Sequence, residues 1–118
     1  MQSFRDLVVW KKAHRLTLEI YRVTRRFPDD ERYGLRAQIR RCAVSVCANI
    51  AEGCGRGSPK DFARFLYYAS GSVTELELHL LLSADLGFIE RHAHTGLERS
   101  AQEIRRMLAG LLRRLDGD

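Results

Sequence analysis

Apolar residues return at alternating steps of three and four in four separate stretches of this chain, and that rhythm narrows the choice of fold. The first stretch runs through Ala13, Leu16, Ile20, Val23 and Phe27. The third runs through Phe62, Leu66, Ala69, Val73, Leu76, Leu80 and Ser83, and the fourth through Leu97, Ala101, Ile104, Leu108, Leu111 and Leu115. Such spacing keeps one apolar stripe on one side of an α-helix, whereas a half-buried strand would alternate. The second stretch, residues 33–59, is apolar around most of its circumference and ends in a glycine-rich turn. The spacing predicts helices over 3–26, 30–53, 59–86 and 94–115.

Local signals mark the ends. Phe27-Pro28-Asp29-Asp30 stops the first helix, because proline disfavours helix in the residue before it. Asp29 or Asp30 is then placed to cap the second helix, with Glu31 in its first turn. Gly53, Gly55 and Gly57 offer the left-handed conformations of a helix end and tight turn. Ser58 is expected to cap the third helix, with Pro59 at its first position and Asp61 closing an acidic capping box. Gly87 stops that helix. Only 2 prolines occur among 118 residues, enough chain for one real core and too little for two. The expected architecture is all-α: a single antiparallel up-down-up-down four-helix bundle over residues 1–118.

The four seams differ in what lies outside them. Helices 1 and 4 are one-faced, with Lys11, Arg15, Arg22 and Arg26, or Arg99, Arg106 and Arg113, on the far side. Helix 2 has a second small or apolar face at Val44, Cys47, Ala48 and Ala51, and helix 3 has one at Tyr67, Gly71, Thr74, Leu78 and Leu81. Contiguous exposed apolar surface marks contact with partners. These residues are therefore expected at an interface between copies of the chain; a skewed bundle that buries them itself is the alternative.

One polar row interrupts the second helix: Gln38, Arg41, Ser45, Asn49, Glu52 and Arg56, spaced three or four apart. The third helix carries Tyr68, Ser72, Glu75 and His79 at similar steps. Across a tight hairpin the two rows face each other, so Arg41, Ser45, Asn49, Glu52, Arg56, Ser72 and Glu75 are expected to form a buried brace of hydrogen bonds and ion pairs. Glu52 and Glu75 beside His79 also resemble part of an acid–base or dimetal site. A bundle dimetal centre needs Glu-x-x-His on two helices, and this chain offers only Glu75-x-x-x-His79. Ser72 stands two turns from His79 on the same helix, too far for that base to activate it. Gly53-x-Gly55-x-Gly57 lacks both the strand of a Rossmann turn and the Gly-Lys-Ser/Thr of a P-loop. His92-Ala-His94 is expected in a loop without partnering cysteines. No catalytic residue, metal or cofactor is assigned.

The formal charge is +5, with 17 arginines against 3 lysines. Excess positive charge suits a polyanion, although arginine is also a strong helix former and many such faces are merely solvated. Three pairs are candidates for phosphate contacts: Arg22 with Arg26, Arg36 with Arg40, and Arg105 with Arg106. Repeated around an oligomer, such pairs become a ring of positive charge. Cys42, Cys47 and Cys54 lack C-x-x-C spacing and read as small buried residues of a reducing compartment. The N-terminal residues lack a signal-peptide core, and no apolar run approaches a membrane span, so a cytoplasmic location is expected.

The order Phe4-x-x-Leu7-x-Val9-Trp10, Phe27-Pro28, Glu31-x-Tyr33-Gly34-Leu35-x-x-Gln38-x-Arg40-Arg41 opens a recognisable pattern. It continues as Ser45-x-x-x-Asn49-Ile50-Ala51-Glu52-Gly53-x-Gly55-Arg56, Phe62-x-x-Phe65-Leu66 and Gly71-Ser72-x-x-Glu75. The whole resembles the bacterial four-helix bundle proteins encoded in intervening sequences of 23S ribosomal RNA genes. Cys42 and Cys54 are the departures from its core, at positions that accept small residues. The resemblance implies a four-helix bundle, a barrel-shaped homopentamer and no enzymatic activity. A related branch, the accessory variability determinant of diversity-generating retroelements, works with a reverse transcriptase and its RNA. The resemblance therefore adds a reverse transcriptase-like protein to RNA or DNA as an expected partner. A non-catalytic, oligomeric nucleic-acid binder is the leading expectation. An assembly scaffold that recruits a protein without touching nucleic acid is the second, and a carboxylate-based enzyme the remote third.

Overall fold

Helix-breaking residues divide the chain close to where the sequence places them, with shifts of more than two residues at three of the eight ends. A computed structural model describes residues 3–116. Among these residues there are four α-helices and no strand: α1 Val8–Thr24, α2 Leu35–Cys54, α3 Pro59–Asp85 and α4 Arg91–Leu115. Single 3-10 turns at Phe4–Asp6 and Asp29–Glu31 precede α1 and α2.

Each shift has a local cause. The expected start at residue 3 gives way to a 3-10 turn whose Ser3 hydroxyl accepts the Arg5 N–H at 3.3 Å, after which extended Leu7 separates it from α1. Phe4 packs edge-on against Trp10, which stacks on His14, so this turn folds back onto α1. Asp29 and Asp30 do not cap α2. They sit in the second 3-10 turn, and the Glu31 carboxylate takes the cap by accepting the Leu35 N–H at 2.9 Å. A Cβ on Gly34 would lie 2.8 Å from that carboxylate, so a larger residue there would push the capping oxygen aside. The fourth helix begins at Arg91 rather than 94, which puts His92-Ala-His94 in its first turn and not in a loop. At α3 the expectation holds: Ser58 accepts the Asp61 N–H at 3.1 Å and Pro59 stands first. The Asp61 carboxylate pairs with Arg64 at 3.3 Å instead of closing a box.

The glycines after α2 divide their roles differently from expectation. Gly57 alone in that turn has a left-handed φ, of 83°. Gly55 is right-handed and Gly53 lies inside α2, buried. A Cβ on Gly53 would stand 2.8 Å from Phe65 Cβ and 3.2 Å from the Phe62 carbonyl oxygen. Close approach of two helix backbones, not a turn, is what requires glycine at this position. Gly87, φ 81°, ends α3 as expected; its N–H reaches Ala84 and the Phe88 N–H reaches Ser83.

One apolar cluster runs the length of the helices, including Ile20, Ile39, Ile50, Leu66, Leu76, Leu80, Ile104 and Leu108. Its seam departs from strict three-four stepping toward the C-terminal ends of two helices. Thr24 is buried while Val23 sits at the flank, and Leu112 is buried while Leu111 and Leu115 are only partly covered. A straight helix drifts about 20° per heptad against a 3.5-residue repeat, which turns the contact stripe toward the later residue of each pair without by itself completing the change. Thr24 tolerates burial because its hydroxyl donates to the Ile20 carbonyl at 2.7 Å, and Ser83 does the same to His79 at 2.8 Å.

Candidate functional site

The two polar rows meet along the α2–α3 groove, and the pairs fix which levels face each other. Gly53 packs on Phe62 and Phe65, the Ser45 and Ser72 hydroxyls lie 2.8 Å apart, and Cys42 reaches Glu75 at 3.1 Å. Asn49 donates from Nδ2 to the Ser45 carbonyl at 2.9 Å and to its hydroxyl at 3.1 Å. Glu52 pairs with Arg56 at 3.5 Å, and the Arg56 guanidinium also lies 5.1 Å from the Phe65 ring centre.

The expected single brace is thus three short links. Nor is it buried: the side chains of Glu52, Arg56 and Glu75 remain 57%, 46% and 55% exposed. Glu52 and Glu75 do not face each other. Glu75 stands level with Cys42, and Glu52 lies ten residues further along α2, about 15 Å away at the helical rise. Two carboxylates at that separation cannot share a proton or a metal ion. Arg41 is exposed beside the groove, and its charge favours ionisation of Cys42.

Cys42, read from sequence as a small apolar filler, is chemically the most perturbed group. Burial pushes its thiol up to about 12, and the hydrogen bond to Glu75 and that carboxylate's charge push the same way, against Arg41. Glu75 is held below the usual carboxylate range by the Cys42 hydrogen bond first and by His79 second. His79 Nε2 lies 3.2 Å from the same Glu75 oxygen, one helical turn along. The spacing Glu75-x-x-x-His79 was visible in the sequence; the third member required the α2–α3 register. Among the described residues this trio is the one cluster of three potential metal ligands. His92 and His94 join none; His94 faces Glu98 at 3.9 Å on its own helix.

The arginine pairs fare unequally. Arg36 donates to the Phe27 carbonyl at 2.9 Å. Arg40 donates to Thr24 Oγ1 at 2.9 Å and to the Tyr21 carbonyl at 3.2 Å, with its guanidinium 4.5 Å from the Tyr21 ring centre. Both tie α2 to the backbone at and just beyond the end of α1, where cations are favoured, although Arg36 Nε is buried without a partner there. Arg22 pairs with Glu19, and Arg105 with Glu77 at 2.9 Å. Arg26 and Arg106 project into solvent, Arg106 close enough to Glu103 to favour its charged form. Arg99, Arg106 and Arg113 recur every seven residues on α4, all exposed.

Of the expected interface residues, Val44, Ala48, Tyr67, Gly71, Leu78 and Leu81 are exposed on α2 and α3, and Ala51 is half-buried. Cys47 does not belong to that face; it turns toward α1, 3.4 Å from the Thr17 hydroxyl, and packs on the core. Tyr68, expected in the polar row, and Leu82 are exposed on α3 as well, as is Leu86 at its C-cap. None of the helices among the described residues is long and apolar enough to cross a membrane.

Comparison with known proteins adds a lineage to this geometry. A crystal structure of a protein of unknown function from the S23 ribosomal protein family of Bacteroides thetaiotaomicron superposes with a TM-score of 0.80. The two sequences are 25% identical, and the match covers 89% of this chain and 98% of that one. No curated protein matches the sequence. The profile of the 23S rRNA-intervening sequence proteins matches residues 5–110, nearly the whole chain from the first 3-10 turn into the last turns of α4. This chain belongs to the 23S rRNA-intervening sequence protein family.

Proposed function

We propose that this protein is a non-catalytic, antiparallel up-down-up-down bundle that assembles as a homopentamer in the cytoplasm and binds RNA or DNA through its outer arginines. The antiparallel order is supported by partners whose numbers run oppositely: Cys42 with Glu75 and Gly53 with Phe65, Thr17 with Ala43 and Phe27 with Arg36. Assembly is supported by Val44, Ala48, Tyr67, Gly71, Leu78 and Leu82, which leave α2 and α3 apolar away from the core.

The observation that carries the binding reading is segregation. Exposed apolar side chains are densest on α2 and α3, with Val8, Leu18 and Tyr21 as the exceptions on α1, while Arg15 and Arg22 on α1, Arg26 just beyond it and Arg99, Arg106 and Arg113 on α4 are exposed. A ring of subunits built on the first pair of helices turns the second pair outward, and the arginines become a continuous cationic belt. Arg36 and Arg40 leave the proposed contact surface because α1 already holds them.

The test is a solution mass together with salt-titrated RNA binding. The triple variant Arg99→Glu, Arg106→Glu, Arg113→Glu is expected to keep the oligomer and lose affinity, with a shallower dependence on salt. Each lost phosphate contact removes about 0.7 from the slope for single strands. Unchanged binding by that variant refutes the belt. Tyr33, 87% exposed, and Leu18 on α1 favour a second reading, a scaffold that docks a reverse transcriptase-like protein. Retention of no labelled RNA at low salt by an intact oligomer would establish it over the first.

A further inference from the structure

Three different metal-binding side chains converge on the outer edge of the α2–α3 groove. Cys42 Sγ and His79 Nε2 both lie beside one oxygen of Glu75, at 3.1 and 3.2 Å, and the three donor atoms all fall within 4.8 Å of one another. Their backbones belong to rigid elements. Glu75 and His79 are one turn apart on α3, and the facing level of α2 is held by the Ser45–Ser72 hydrogen bond and the close approach at Gly53. We propose that Cys42, Glu75 and His79 form a three-ligand site for a borderline-soft divalent ion, Zn2+ above all, with its fourth position open to water.

The distances suit that ion. Bonds of about 2.3 Å to sulfur and about 2.0 Å to nitrogen and oxygen, at tetrahedral angles, place the donor atoms roughly 3.3–3.6 Å apart. The two oxygen-centred separations need to open by only a few tenths of an ångström, and sulfur and nitrogen, at most 4.8 Å apart, need to close by up to about 1.3 Å. Side-chain rotation supplies both without moving a helix. The donor set also selects the metal class: thiolate and imidazole exclude Mg2+ and Ca2+, which demand oxygen.

Charge and proton balance are simple. Without metal, the Cys42 S–H and the His79 N–H are both directed at one carboxylate oxygen. On binding, Cys42 gives up its proton to solvent and Sγ donates an electron pair to the metal. His79 donates the Nε2 lone pair and carries its ring proton on Nδ1, which is buried without a partner among the described residues, so the metal bonds must outweigh one unpaired N–H. A thiolate, a carboxylate and a divalent cation sum to zero, which suits a half-buried groove. Arg41 is the nearby cation that opposes the ion while favouring the thiolate. Glu75 is exposed, so the fourth position faces outward, where water or a group from a neighbouring subunit reaches it. This inference stands independently of nucleic-acid binding.

Cobalt titration of the reduced protein provides the test. Co2+ alone is the probe, followed by displacement with Zn2+. One equivalent per chain is expected, with an intense near-ultraviolet thiolate-to-cobalt band and the visible bands of a tetrahedral ion. Cys42→Ser should abolish the ultraviolet band, His79→Gln and Glu75→Gln should each weaken binding at least tenfold, and Cys47→Ser with Cys54→Ser should leave the spectrum intact. Circular dichroism confirms that each variant is helical. An absent thiolate band in the wild type, its survival in Cys42→Ser or its loss in the Cys47/Cys54 variant overturns the site. Pale octahedral spectra without stoichiometry overturn it equally.

Discussion

Replacing Gly53 by alanine sets two effects of opposite sign against each other, and the closeness of α2 and α3 decides which wins. Alanine in a helix interior is favoured over glycine by about 1 kcal/mol. At Gly53 the new methyl would meet Phe65 Cβ at 2.8 Å, Phe62 Cδ1 at 3.0 Å and the Phe62 carbonyl at 3.2 Å. The phenyl ring of Phe62 can rotate away, but Phe65 Cβ and the carbonyl move only with their helix. Relief therefore requires α2 and α3 to part by about an ångström at this level, which places the cost near the top of the overpacking range, about 3 kcal/mol. The net is a loss of about 2 kcal/mol, or about 8 °C in Tm for a domain of this size. Thermal melting followed by circular dichroism measures it, with Gly96→Ala as the control, since a Cβ at Gly96 meets nothing within 4 Å. The control is expected to gain about 1 kcal/mol. If Gly53→Ala raises Tm as much as Gly96→Ala does, the close approach of α2 and α3 is not as described.

Gly71→Ala should stabilise the isolated fold, because its Cβ would also stand in open space, yet weaken self-association if α3 packs closely on a second copy; mass against dilution reads the second effect. Arg40→Ala should cost about 1–2 kcal/mol in urea unfolding by removing hydrogen bonds to Thr24 and Tyr21, with salt-titrated RNA affinity unchanged. The Cys42 thiol, pushed up from 9.0 to about 12, contributes stability that is fully present below pH 9 and is lost as pH rises toward 12. Cys42→Ala should therefore flatten the alkaline fall of Tm. Glu75 works in the opposite direction: its depressed value gives stability above the usual carboxylate range that disappears on acidification, and Glu75→Gln should flatten the acid limb of the same profile.

Periodicity reads whatever repeats along one helix, and it read the four helices and most of the core correctly. It failed where an outcome depends on which level of one helix faces another. Glu52 and Glu75 share a face in sequence terms, but the register puts Cys42 opposite Glu75 and leaves Glu52 paired with Arg56 and exposed. Arg36 and Arg40 have the spacing of a solvated cationic strip. Their engagement follows from the end of α1 lying beside them, where unpaired carbonyls attract donors. Glu31 displaced Asp29 and Asp30 as the cap because its longer side chain reaches Leu35 across a 3-10 turn. Thr24 and Leu112 lie one place beyond where a 3.6-residue count from Leu16 or Leu97 lands, so their burial is set by the helices they face and not by the count along one helix.

The closeness of α2 and α3 at Gly53 also bears on how the chain acquires its structure. Only residues 55–58 separate these two helices, so bringing them together closes a very short loop at little entropic cost. Ile39, Val46 and Ile50 then meet Leu66, Val73 and Leu76 before distant parts of the chain must be ordered. Local pairing of this kind is expected to form early, with α1 and α4 adding to an existing hairpin. In hydrogen exchange, the amides of α2 and α3 around Ile50 and Leu66 should open last, and those at the free ends of α1 and α4 first.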